Sequence, residues 1–141
     1  MSEVAKRQKK LIEEFSRFKN WEERYKHVID LGKTLPPLPE KYVDDTFLVK
    51  GCQSRVWLHA QKTSDGKIEL LADSDAMIVK GLVAILLQVY SNATADDILA
   101  NPPKFISELG FQAHLSPSRA NGLLSMVKQI MLYATAIKAM G

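Results

Sequence analysis

Val4, Leu11, Ile12, Phe15 and Phe18 recur at helical spacing, which predicts an amphipathic helix over residues 4–18. Asn20 followed by Glu23 reads as a capping box opening a second helix, with Trp21, Tyr25, Val28, Ile29 and Gly32 on its inner face. The first helix is expected to fold back against the second. "LPPLPEK" then breaks the pattern, because prolines remove backbone donors and force extended conformations. It makes a structured connection too short to separate two domains. The apolar period next changes from helical to alternating. "TFLVK" is a candidate strand leading to Gly51, and "RVWLHAQK" puts Val56, Leu58 and Ala60 on one face with Trp57, His59 and Gln61 on the other. Asp65-Gly66 is a hairpin signal, and "KIELLA" returns with Ile68, Leu70 and Ala72 aligned. A small antiparallel sheet of about three strands is expected.

From Ala76 onward, "AMIVKGLVAILLQVY" is apolar nearly all round, as a central helix covered on most sides must be. Asp73, Ser74 and Asp75 precede it and offer capping oxygens. "TADDILA" and "NPPKFISELG" predict two short helices, with Thr94 and Asn101 as caps, Pro102 in a first turn and Gly110 as terminator. The last helix opens on Ser116 and Pro117 and turns Leu123, Val127, Ile130, Ala134 and Ile137 inward. The resulting expectation is an α+β fold, a single domain over residues 1–141, with several helices packed against the sheet.

Composition narrows the function. With 46% hydrophobic and 25% charged residues the chain is an ordinary globular sequence. The net charge of +3 is mild, and the one basic run, "KRQKK", has no aromatic interleaving, which argues against nucleic acid as partner. Lys80 and Gln88 interrupt the longest apolar stretch, so no membrane partner is expected either. "MSEVAKRQKK" is not followed by the apolar segment of a secretory signal, and a lone cysteine suits a reducing compartment. A cytoplasmic protein is the expectation.

The three histidines and one cysteine show no metal-ligand spacing, and no phosphate-binding loop or nucleophile elbow is present. Cys52 remains. It follows Gly51, which frees the backbone to bend, and precedes Gln53 and Ser54, which are poor core neighbours. That places the thiol on a loop at the mouth of a strand, where functional groups concentrate. Spacing alone leaves a reactive thiol and a small apolar filler both open. Lys50, Arg55 and Arg119 are the cations available to activate it. A single thiol that lacks a resolving cysteine is suited to accept a sulfur atom, hold it as a persulfide and pass it on.

"GCQSRVWL" resembles the signature of the SufE-like family (the SufE and CsdE proteins). "NWEERYKHVIDLGKTLP", "DSDAMIVKGLVAIL" and "HLSPSRANGL" resemble further family blocks, in order and at matching spacing, across most of residues 20–130. The resemblance implies the fold of the IscU-type scaffold proteins. It also implies a function: taking persulfide sulfur from a cysteine desulfurase of the SufS or CsdA kind, stimulating that enzyme, and delivering sulfur for iron–sulfur cluster assembly to a scaffold or other acceptor. Cys52 matches the family's acceptor cysteine. Pyridoxal phosphate belongs to the desulfurase, and this chain is expected to bind no cofactor and no metal. Supporting roles fall to Gly51 in the bend, to Gln53 and Ser54 either as turn formers or as residues that bond the loop backbone and hold Cys52 in or out of its pocket, and to Asp75 and Arg119. Arg119 is expected to pair with a carboxylate such as Asp75, a cation beside the thiolate being the alternative. Trp57 is read as packing or as cavity wall, and His59 and His114 as structural histidines. The oligomeric state, homodimer included, is left open, as is a non-covalent module that regulates a desulfurase by docking. A stand-alone thiol enzyme lacks an identifiable base.

Overall fold

The computed structural model describes residues 2–141. Its first helix, α1 (Glu3–Ser16), is capped by the Ser2 hydroxyl and buries Val4, Gln8, Leu11 and Phe15. Asn20 Oδ1 accepts the Glu23 N–H at 2.9 Å and opens α2 (Trp21–Gly32), while Glu23 Oε2 returns to the Lys19 N–H. This is the expected box, shifted by one donor. The two helices do fold together, but only at one end. There Phe15 packs edge-on to His27 at 5.1 Å, and His27 Nε2 meets Glu14 Oε2 at 2.5 Å. The rest of α1 lies on later helices, where Gln8 bonds the Pro102 carbonyl and the Phe105 N–H.

The sheet has two strands rather than three. β1 (Val56–Lys62) and β2 (Ile68–Ser74) run antiparallel in the register Val56↔Ser74 to Lys62↔Ile68, joined through Gly66 at φ 82°. Val56 and Leu58 point into the core, as the alternation requires. In place of the third strand stands a 3₁₀ turn at Asp45–Phe47, which the Asp44 carboxylate stabilises by accepting the Thr46 N–H. Only Leu48 and Val49 remain between that turn and the turn at Lys50 and Gly51, so pairing shrinks to the Leu48↔Trp57 bridge and one bond from Val49 N–H to the Val56 carbonyl at 2.8 Å. The far edge of β2 is held by Asn92 and Ala93, which exchange backbone bonds with Ile68.

Helix α3 (Met77–Tyr90) is the hub, buried on nearly every side as its sequence demands. Its approach to α2 is unusually close. A Cβ at Gly81 would stand 2.1 Å from the Val28 carbonyl oxygen, and one at Gly32 would stand 2.8 Å from the Gly81 nitrogen. The carboxylates ahead of α3 do not cap it. Its first-turn N–H groups receive no side-chain cap from Asp73 or Asp75; Ser74 Oγ reaches only the Ala76 N–H, at 3.3 Å. Then come α4 (Ala95–Ala100), α5 (Lys104–Glu108), α6 (Phe111–His114) and α7 (Pro117–Ala139). Thr94 caps α4 as expected, whereas Asn101 ends that helix and Pro103, not Pro102, leads into α5. Gly110, at φ 75°, separates α5 from α6. Ser116 caps α7 with Pro117 at its first position, and α7 packs on α4, α3 and β1 through Leu123, Val127, Ile130 and Ala134. All these apolar faces join one core. The fold is α+β, as expected. No helix among the described residues is long and apolar enough to cross a membrane.

Candidate functional site

The loop 50–55 leaves the sheet where Val49 and Val56 are bonded, and its far side is fastened by the residues that follow β2. The Arg55 N–H donates to Asp75 Oδ1 at 3.0 Å, while the Arg55 carbonyl accepts from Ser74 Oγ at 2.8 Å and from the Asp75 N–H at 3.2 Å. Asp75 therefore clamps the base of the loop. It does not pair with Arg119, which forms no ion pair among the described residues. Gly51 makes the bend at φ 91°, a conformation that L side chains rarely adopt, and a Cβ there would lie 2.6 Å from Ser125 Oγ. Only glycine fits.

Beyond that bend Cys52 is partly buried, its Sγ 3.5 Å from the Gly122 carbonyl oxygen of α7. The thiol borders a cleft of about 330 Å³. One wall is the loop itself, with Gln53 and Ser54. The second is the apolar face of α3, at Val79 and Leu82, and the third is the start of α7, at Ser118, Arg119, Gly122 and Met126. Four of the sequence-selected residues line the cleft, Cys52, Gln53, Ser54 and Arg119, while Gly51 makes the bend beside it and Asp75 clamps its loop. Gln53 and Ser54 line the cleft instead of bonding the loop backbone, a task that Asp75 and Ser74 perform.

Electrostatics make this a quiet thiol. Burial pushes the Cys52 thiol up from its ordinary 9.0, and the neighbouring cations do not reverse that shift. Lys50 and Arg55 are exposed and Arg119 is largely so, which leaves water to screen them. At neutral pH the resting side chain is protonated, a form that resists oxidation and is slow to attack. Burial keeps the resting thiol neutral rather than activated.

Trp57 lies on the outer face of β1 against Leu48 and takes no part in the cleft wall. His59 stacks on Tyr42 at 4.1 Å with Phe47 at its edge, and His114 stacks on Trp21 at 4.3 Å. Both are packing histidines. Sequence reasoning missed Val79, Leu82, Ser118, Gly122 and Met126 in the cleft wall and Ser125 against Gly51. Gly122 carried one readable signal, since a glycine well inside a helix asks for an explanation. No group of three or more His, Cys, Asp or Glu side chains among the described residues could hold a metal ion.

Two comparisons bear on this geometry. A solved structure described as the solution structure of a hypothetical protein from Thermus thermophilus superposes with a TM-score of 0.78 at 21% identity, covering 94% of this chain and 96% of that one. That likeness shows a shared fold. The family model described as "SufE: Fe-S metabolism associated domain" matches residues 9–134, which include the whole Cys52 loop and every wall of its cleft. The chain belongs to the SufE family, and its general role lies in iron–sulfur metabolism.

Proposed function

We propose that Cys52 accepts a persulfide sulfur from a pyridoxal-phosphate-dependent cysteine desulfurase, stimulates that enzyme by relieving it of its sulfur, and passes the atom on for iron–sulfur cluster assembly. The observation that carries this reading is the placement of the chain's one thiol on a glycine-bent loop beside a cleft of about 330 Å³. A single sulfur atom needs a nucleophile that opens to a partner and a shelter once loaded. The loop offers the first and the cleft the second.

The chemistry balances with no other reagent. The Cys52 thiolate attacks the outer sulfur of the donor's persulfide, the donor's S–S bond breaks, and its cysteine leaves as a thiolate. Cys52 now carries –S–S⁻, and the transfer is reversible until a third thiol takes the sulfur. Burial holds the resting thiol above its ordinary value, a penalty that docking can lift. A loop that swings clear of the α3 and α7 walls loses the burial that keeps the thiol neutral. Arg119 lines the cleft and forms no ion pair among the described residues, which supports it as the cation that stabilises the anion that forms.

The competing reading is a module that stimulates a desulfurase by docking alone. Desulfurase turnover of cysteine, followed by sulfide release in the presence of a reductant, separates the two. Sulfur acceptance predicts that wild type stimulates turnover and that Cys52→Ser, equally folded, does not. Stimulation by the serine variant equal to wild type would establish the docking module instead.

A further inference from the structure

Gly32 in α2, Gly81 in α3 and Gly122 in α7 are the glycines inside helices. A helical glycine is less stable than alanine because it loses more backbone freedom on folding, so each invites a reason. The α2–α3 crossing supplies one for the first two, where an added Cβ would collide with backbone. Gly122 has no such reason. A Cβ there would lie 3.5 Å from Cys52 Sγ and 4.0 Å from Cys52 Cβ, both ordinary contacts. Beyond its own helix backbone and chain neighbours, no other described heavy atom comes within 4 Å. Yet Gly122 is buried, and it lines the cleft. The missing side chain leaves open the space beside the thiol, and nothing in the resting protein uses it.

We propose that this space receives the second sulfur when Cys52 is a persulfide, making Gly122 a positioning residue for the carried atom. The inference rests on the reading of Cys52 as a sulfur carrier. An S–S bond is about 2 Å long, so an outer sulfur turned toward α7 would come well inside contact distance of a methyl group on residue 122. The bare thiol would not. Alanine at 122 is therefore compatible with the folded thiol form but not with a persulfide held in the cleft. The loaded loop of such a variant stays outward, where its sulfur is open to reductants.

The test loads sulfur without a desulfurase. Cys52 is converted to a mixed disulfide with an aromatic thiol; hydrosulfide then attacks Sγ and expels the aromatic thiolate, leaving Cys52–S–SH. Dithiothreitol removes the sulfur, its two thiols becoming the ring disulfide as hydrogen sulfide leaves and the Cys52 thiol re-forms. The half-life of the persulfide is followed by intact mass. Gly122→Ala in its thiol form should melt about 3 °C higher than wild type, and its persulfide should vanish about tenfold faster. Leu124→Ala, on the exposed side of the same helix, should keep the wild-type half-life. Equal half-lives for wild type and Gly122→Ala would overturn the proposal, and so would a lower melting point for the thiol form of the alanine variant. Because loading bypasses the desulfurase, an enzyme that fails to charge wild type counts against the transfer reading alone.

Discussion

Cys52 is held in a loop whose conformation other residues dictate, and its reactivity follows from that. Burial disfavours the thiolate, so the folded thiol titrates above its ordinary 9.0. The neutral thiol thus contributes stability that is fully present below about pH 9 and is lost as pH rises through the higher folded value. Two consequences can be measured. Alkylation of Cys52 by iodoacetamide should be slower than that of free cysteine at pH 7.5 and should inflect at higher pH. The urea midpoint of wild type should also fall more steeply above pH 9 than that of Cys52→Ser. An inflection below that of free cysteine would show an activated thiol and contradict the burial account. At this scale the sequence exposed Cys52 and the need for Gly51, because lone thiols and bend glycines are local features. It misdirected Asp75 toward Arg119. The hairpin register, which sets Val56 opposite Ser74, brings the Asp75 carboxylate to the Arg55 N–H, and no charge pattern reveals a register.

Among the elements, the crossing of α2 over α3 fixes where the cleft's apolar wall stands. Val79 and Leu82 flank Gly81, and Gly81 is pressed against the Val28 carbonyl. Gly81→Ala forces backbone apart and should cost about 3 kcal/mol, at the upper end for overpacking. Chemical denaturation measures that loss, and an unchanged midpoint would mean that the helices are not in the close contact described. The helices themselves were legible, since period, Asn20, Thr94, Ser116 and Pro117 mark their limits and faces. The third strand was not. "TFLVK" has strand-like side chains, but Asp44 draws the chain into a 3₁₀ turn, and the bend at Gly51 leaves two residues to pair. Local side-chain bonding overrode propensity there.

At the scale of the molecule, the cleft gathers three segments that are remote in sequence: loop 50–55, the first turns of α3 and the start of α7. Pattern reading finds the inner face of each helix but not which parts of those faces are left uncovered, so most of the wall was invisible until the elements were assembled. What the whole fold offers is one thiol and one shelter beside it. The most direct measurement is the intact mass of the chain after incubation with cysteine and a pyridoxal-phosphate-dependent cysteine desulfurase, with no reductant present. Wild type should gain one sulfur atom, located on the peptide that contains Cys52, and Cys52→Ser should gain none. A wild-type chain that stays at its starting mass while the desulfurase turns over, or a serine variant that gains sulfur equally, would contradict the account.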